Sequence, residues 1–143
     1  MIDSRISQKI KEIEENIELI RDNLPEEMEE FSELGLVKDG IYKRLEYSLQ
    51  NLVDIFSIIY SSLNLGVPSS IDEIFASLVK KKIFPKKIID LVQEMKGLRN
   101  ILVHKYGQID DERIFNLLRE RLDDFGKVIS AVEEHLKKEK NKK

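Results

Sequence analysis

Apolar residues recur every three to four positions along most of the chain, a spacing that places them on one face of an α-helix. The clearest case is a stripe of isoleucines near the start of the chain: Ile6, Ile10, Ile13, Ile17 and Ile20. Comparable stripes follow over residues 41–64, 88–98 and 114–132. No alternating run is long enough to predict a β-strand. The pattern therefore predicts four main helices and no sheet.

Helix-breaking and capping residues indicate where shorter elements interrupt these stripes. Asp39-Gly40 predicts a turn before the second long helix. Ser70 and Glu73 have the spacing of a capping box, which predicts a short helix that follows it. The aspartates at residues 110–111 offer an N-cap for a single final helix. The expected architecture is an all-α, up-and-down helical bundle of four main helices plus short extra helices.

The length and composition fit one folded domain. The chain has 143 residues, of which 41% are hydrophobic and 36% are charged. We expect a single helical domain over residues 1–136, followed by a charged tail at residues 137–143 that is frayed or makes weak electrostatic contacts. No window holds about 18 uncharged apolar residues, so no membrane association is expected. The absence of cysteine and of a signal-peptide pattern fits a cytoplasmic protein.

The charge balance limits how the chain can meet nucleic acid. Its net charge of −3 argues against sequence-independent binding by the whole surface. A local basic cleft remains possible, because lysines cluster at residues 80–82 and 86–87. These lysines either line an RNA cleft or belong to a solvated loop between two helices.

Side chains with useful chemistry crowd into the stretch Leu98–Tyr106, which contains Arg99, Asn100, His104 and Tyr106. A histidine can pass protons at neutral pH, and an arginine binds phosphate through two parallel hydrogen bonds. Together they suffice for RNA cleavage by transfer to the 2′-hydroxyl without a metal. Tyr106 can stack on a base or bind phosphate, and Asn100 can orient His104 from one helical turn away. With two histidines and no cysteine, we expect no zinc site.

The spacing of the pair raises a geometric difficulty. On an ideal helix Arg99 and His104 point roughly 140° apart. The long arginine side chain closes part of this gap, or the helix loosens near His104, or the two residues of one copy meet those of a second copy. From the residues alone, a plain helical scaffold in which both side chains only pack is a further interpretation.

The string from Arg99 to Tyr106 resembles the R-N-x-x-x-H-x-Y signature of the HEPN superfamily, and more narrowly the HepT-like toxins. The similarity extends to the preceding segments Leu65-Gly66-Val67-Pro68 and Met95-Lys96-Gly97-Leu98, and it covers roughly residues 40–132. The resemblance implies a homodimeric, all-helical, metal-independent ribonuclease toxin that needs no cofactor. It also implies an antitoxin partner of the nucleotidyltransferase family.

The resemblance also implies roles for individual residues. Arg99 and His104 would match the catalytic pair, and Tyr106 would match the tyrosine to which the partner attaches AMP. Asp54 would match an acidic residue of the preceding helix pair; its side chain is either exposed on a polar edge or paired with Arg99. A competing function is a non-catalytic nucleotide- or partner-binding module that acts with a nucleotidyltransferase. His135 is given no catalytic role, and its position near a helix end suits a protonated imidazole.

Overall fold

The computed structural model describes the backbone of residues 2–104 and 106–142, and the side chains of residues 4–104 and 107–142. Within these residues every regular element is a helix, so the predicted all-α class is confirmed. The elements follow in the order α1 (Ile2–Asn23), α2 (Met28–Ser32), α3 (Leu36–Ser62), α4 (Ile71–Lys80), α5 (Lys86–His104), a 3₁₀ helix (Tyr106–Gln108), α6 (Asp111–Arg121) and α7 (Asp123–Asn141).

The central helix of the bundle is α3, which packs against α1 on one side and against α5 on the other. α7 covers α5, and the short helices α2 and α4 pack on α6 and on the α3–α5 pair. The five isoleucines of the predicted α1 stripe are all buried, as the periodicity requires. Phenylalanines fill the interior, and Phe56 contacts both Phe75 and Phe84. No helix in the described part of the chain is long and apolar enough to span a membrane.

The start of α3 differs from the prediction. The turn expected at Asp39-Gly40 is absent, because α3 already begins at Leu36 and runs through Gly40. The chain turns instead at Gly35, whose φ of +59° is a conformation that glycine adopts without a steric cost. Asp39 lies in the first helical turn, where a carboxylate interacts favourably with the helix dipole. This charge and the burial of the following apolar face offset the cost of a helical glycine, about 1 kcal/mol.

One of the two hydrogen bonds of the predicted capping box is present at the start of α4. The hydroxyl of Ser70 accepts a hydrogen bond from the backbone N–H of Glu73 at 3.1 Å. The carboxylate of Glu73 reaches back to Ser69 rather than to Ser70, and accepts from the Ser69 backbone N–H at 2.7 Å and from its hydroxyl. These hydrogen bonds from Ser69 lower the pKa of Glu73. The helix therefore starts at the predicted residue.

The predicted single final helix is two helices. Asp110 caps α6 by accepting from the N–H groups of Glu112 and Arg113, but α6 ends at Arg121 and α7 starts at Asp123. The apolar periodicity continues across this break, so the sequence pattern does not reveal it. α7 then continues to Asn141, well into the segment that we expected to be a frayed tail.

Candidate functional site

The stretch that carries Arg99, Asn100 and His104 is the last part of α5, which remains an α-helix up to His104. Arg99 and Asn100 are half-buried, whereas His104 is exposed at the helix end. The loosening of the helix that one interpretation required is therefore not seen. On a regular helix the Arg99 and His104 side chains leave the axis roughly 140° apart.

Arg99 has an incomplete set of hydrogen bonds. Its Nη1 donates to the amide oxygen of Asn100 at 3.1 Å. Its Nε is buried and has no hydrogen-bond partner among the described residues. A buried guanidinium N–H without a partner costs free energy, so Arg99 is suited to bind an oxyanion that supplies the missing acceptor.

The other supporting residues of the stretch lie close by in sequence. Asn100, which we expected to orient His104, accepts a hydrogen bond from Arg99. Tyr106 starts the 3₁₀ helix that follows α5. The Tyr106 side chain and Lys105 lie outside the described residues, so the expected role of Tyr106 remains a prediction.

Asp54, on α3, interacts with α1 and with its own helix. Its carboxylate accepts a hydrogen bond from Gln50 at 2.7 Å and lies 3.8 Å from the ammonium of Lys9. The side chain is 41% exposed. Of the two alternatives in the sequence, the structure favours the exposed polar edge, since Arg99 is not among the described partners of Asp54.

An ion pair and a hydrogen bond that the sequence did not reveal are made by a residue that follows the motif in the chain. Asp111, at the start of α6, accepts hydrogen bonds from Lys38 at 2.8 Å and from the hydroxyl of Tyr42. Burial acts to raise the pKa of Asp111, but the hydrogen bonds from Lys38 and Tyr42 outweigh it and hold this pKa below its usual value. This cluster joins α6 to the first turns of α3 and so fixes the segment that follows His104.

Two cavities flank the motif helix. A cavity of about 290 Å³ with a mixed polar and apolar lining lies between α3 and the end of α5; its lining residues are Asp39, Tyr42, Lys43, Glu46, Leu102 and Val103. A mainly apolar cavity of about 390 Å³ opens on another face of α5, where Leu98 and Ile101 line it together with side chains of α3, α6 and α7. Arg99, Asn100 and His104 line neither of these two cavities, but residues next to them in sequence line both.

The lysines at residues 80–82 and 86–87 are not beside the motif within one copy of the chain. They lie at the end of α4, in the turn that follows it and at the start of α5, whereas His104 is the last residue of α5. A helix of 19 residues separates its two ends by about 27 Å. Among the described residues no group of three histidine, aspartate or glutamate side chains is arranged to hold a metal ion.

The fold and the motif agree with a known family, since residues 13–132 match the family described as Ribonuclease HepT-like. The chain belongs to the HepT-like ribonuclease family. The curated mRNA nuclease HepT of Shewanella oneidensis is 25% identical to it over 103 residues, which are 72% of this chain and 77% of that protein.

Solved structures share the HepT-like fold. The tri-AMPylated Shewanella oneidensis HEPN toxin, in complex with an MNT antitoxin, superposes with a TM-score of 0.79 at 25% identity, over 91% of this chain and 97% of that one. The cytosolic protein YutE of Bacillus subtilis superposes with a TM-score of 0.77 at 16% identity, over 96% and 92% of the two chains, which shows the fold alone. The predicted HEPN-like bundle and the predicted ribonuclease family are confirmed.

Proposed function

We propose that this HepT-like ribonuclease cleaves RNA without a metal ion, and that Arg99 and His104 are its catalytic residues. The observation that carries the proposal is the state of Arg99, whose buried Nε has no hydrogen-bond partner among the described residues, while His104 lies exposed at the end of the same helix. A phosphate oxygen would supply the acceptor that Nε lacks. An exposed imidazole can exchange protons with a bound substrate.

The reaction is a transfer of the phosphoryl group within the RNA. The 2′-oxygen attacks the adjacent phosphorus, the bond from phosphorus to the 5′-oxygen breaks, and a 2′,3′-cyclic phosphate and a 5′-hydroxyl result. The 2′-hydroxyl loses its proton and the leaving 5′-oxygen gains one; the imidazole of His104 carries out one of these two transfers, and water carries out the other. The guanidinium of Arg99 stabilises the negative charge that grows on the phosphate oxygens.

We propose that the complete site forms between two copies of the chain in a homodimer. α5 stays helical through His104, so a single copy directs its arginine and histidine to different sides. A two-fold interface presents the same surface of each copy to the other, and so brings the arginine of one copy toward the histidine of its partner. The half-buried Leu98 and Ile101, which line the open apolar cavity beside the motif, supply area that a second copy can cover.

We also propose that the chain acts as a toxin in the cytoplasm and is controlled by a nucleotidyltransferase-family antitoxin, which attaches AMP to Tyr106. The support is the tri-AMPylated state of the related toxin and its complex with an MNT antitoxin. Tyr106 lies two residues after His104. An added AMP would place a bulky anion where the RNA phosphate must bind, and like charges repel.

The test of the catalytic assignment is cleavage of RNA by the wild type, His104→Ala and His135→Gln, with a chelator present. Removal of a general acid or base costs about 10²–10⁴-fold in rate, so His104→Ala should lose nearly all activity. His135→Gln is the control, because it removes the other histidine of the chain, which lies on α7, and a side chain of similar size preserves the packing against Phe84. Products of the wild type should carry 2′,3′-cyclic phosphate ends. Full activity of His104→Ala would refute the assignment.

The homodimer proposal has its own test, which mixes two inactive variants. In a mixed dimer of Arg99→Ala and His104→Ala, one of the two sites combines the intact arginine of one copy with the intact histidine of the other. Random assortment makes half of the dimers mixed, so co-expression should restore about a quarter of the wild-type rate if the site is shared. A site contained within one copy would give no recovery. A chain that binds nucleotide or antitoxin but leaves RNA intact would support the non-catalytic alternative.

A further inference from the structure

The structure brings together two lysine-rich segments that are far apart in sequence. Residues 80–90 contain five lysines and one aspartate, and residues 137–142 contain four lysines and one glutamate. The ring of Phe84, in the turn before α5, packs against the imidazole of His135 on α7 at a centroid distance of 5.3 Å. Both rings are buried, so the contact is part of the folded core. It places the last turns of α7 beside the start of α5.

Most of the lysines at this junction form no ion pair with a residue that the structure describes. Three of them form ion pairs, which are Lys86 with Asp90, Lys138 with Glu134 and Lys142 with Glu139. The others make no ion pair with a described residue, and these are Lys80, Lys81, Lys82, Lys87, Lys137 and Lys140. All six are exposed. We call this surface, formed by residues 80–87 and 137–142, the basic end.

The basic end contrasts with the remainder of an acidic protein. Elsewhere, cations are commonly neutralised by neighbours, as in the pairs of Lys38 with Asp111 and of Arg21 with Asp123. With a net charge of −3, the chain as a whole does not attract polyanions. A local cluster of exposed, unpaired lysines concentrates phosphate groups at one place and leaves the rest of the surface repulsive.

We propose that the basic end is an exosite for the phosphate backbone of RNA, separate from the site at Arg99 and His104. This inference rests on the proposed ribonuclease function. Lysine ammonium groups bind phosphates as point charges and without regard to base sequence. Neither lysine-rich segment carries an exposed large apolar side chain, which a helix bound in a lipid interface would need. RNA is therefore favoured over an anionic membrane as the occupant.

The distance between the two sites gives the proposal a specific consequence. α5 begins at the basic end and finishes at His104, so the two sites of one copy are about 27 Å apart. A dinucleotide cannot reach both sites, whereas a long single-stranded RNA can. The exosite should therefore lower the KM for long RNA and leave cleavage of a dinucleotide unaffected.

The experiment compares two triple variants with the same change of net charge. The test variant is Lys81→Gln, Lys87→Gln and Lys137→Gln. The control is Arg5→Gln, Lys11→Gln and Arg119→Gln, which removes three exposed cations on α1 and α6. Fluorescence anisotropy would measure binding to a labelled, 2′-O-methylated single-stranded RNA, which cannot be cleaved by the proposed reaction, across a series of salt concentrations. A parallel titration would use vesicles that contain an anionic lipid.

The slope of log affinity against log salt is negative, and each lost phosphate contact makes it less steep by about 0.7 for single strands. The slope of the test variant should therefore be less steep than that of the wild type by about 2. Its RNA affinity should fall about tenfold or more at about 0.1 M salt, and the control should stay within about threefold of the wild type. The KM for long RNA should rise in the test variant, while kcat/KM for a dinucleotide stays the same.

Equal RNA binding by the two triple variants would overturn the exosite. Loss of vesicle binding with unchanged RNA binding would also overturn it and would indicate a lipid surface instead. These outcomes are distinct from failure of the proposed function, which appears as a wild type that does not cleave RNA. The binding measurement does not depend on cleavage, so it tests the basic end in either case.

Discussion

The ion pair that joins α6 to α3 leads to a quantitative prediction about stability. The carboxylate of Asp111 accepts from Lys38 at 2.8 Å and from the hydroxyl of Tyr42, and its side chain is 27% exposed. A buried hydrogen bond to a charged group contributes about 1.5–3 kcal/mol, whereas an exposed ion pair contributes about 0–1 kcal/mol. In Asp111→Asn the amide oxygen still accepts one of the two bonds. The variant therefore loses one partly screened bond, which is about 1.5 kcal/mol.

Urea and thermal unfolding would measure this loss against Asp90→Asn. Asp90 pairs with Lys86 at a similar 2.9 Å, but the two side chains are 48% and 76% exposed. For a domain of this size, Asp111→Asn should lower the Tm by about 5 °C, and Asp90→Asn should cost less than about 0.5 kcal/mol. Equal losses in the two variants would refute the argument that partial burial strengthens the Asp111 pair.

The pH dependence of the Asp111 contribution follows from its lowered pKa. The folded state holds this carboxyl deprotonated more strongly than the unfolded chain does. The stabilisation is therefore complete above the ordinary pKa of an aspartate, and is lost as the pH falls through the lowered folded value. The difference in unfolding free energy between the wild type and Asp111→Asn should shrink in strong acid. A difference that grows in acid would contradict the assignment.

Three further predictions concern the caps and the core. Burial lowers the pKa of His135, so the free energy of unfolding should fall as the pH drops below about 6.5. In urea titrations, His135→Gln should flatten this pH dependence. An unchanged pH dependence would mean that other groups cause it. Ser70→Ala should lower the free energy of unfolding by about 1 kcal/mol, because the N-cap of α4 is lost. The control Ser130→Ala, at an exposed position, should change it very little. Equal urea midpoints for the two variants would contradict this prediction. Phe56→Ala should cost about 3–5 kcal/mol, measured by urea unfolding, and a loss below about 1 kcal/mol would show that the site repacks.

The fold was predictable where the signal is local. The isoleucine stripe of α1 and the Ser70 cap of α4 depend on spacings of three to four residues, which the sequence displays directly. The start of α3 was not predictable in this way, because the helical cost of Gly40 is small compared with the burial of the apolar face that follows it. The break between α6 and α7 was missed since the apolar period continues through Leu122 and Phe125.

Local sequence patterns could not predict contacts between segments that are far apart in the chain. Periodicity marks Tyr42 as a residue of a buried face, but nothing in the sequence pairs it with Asp111. The interpretation of His135 as a protonated group at a helix end was wrong for the same reason. Its ring is buried against Phe84, and burial lowers its pKa. Desolvation of a buried ring disfavours the charged imidazole, and at His135 it is the largest influence on the pKa.

The candidate site shows the same division between local and global information. The resemblance could single out Arg99 and His104 as candidates, because a chemical motif is compact in sequence, and their catalytic role stays a prediction. Its spacing leaves open whether one copy suffices, and that answer depends on whether α5 bends. A helix that remains regular to His104 separates the two side chains by direction, and it also separates the motif from the basic end by about 27 Å. One uninterrupted helix therefore underlies both proposals, a shared site between two copies and an RNA exosite at the far end of α5.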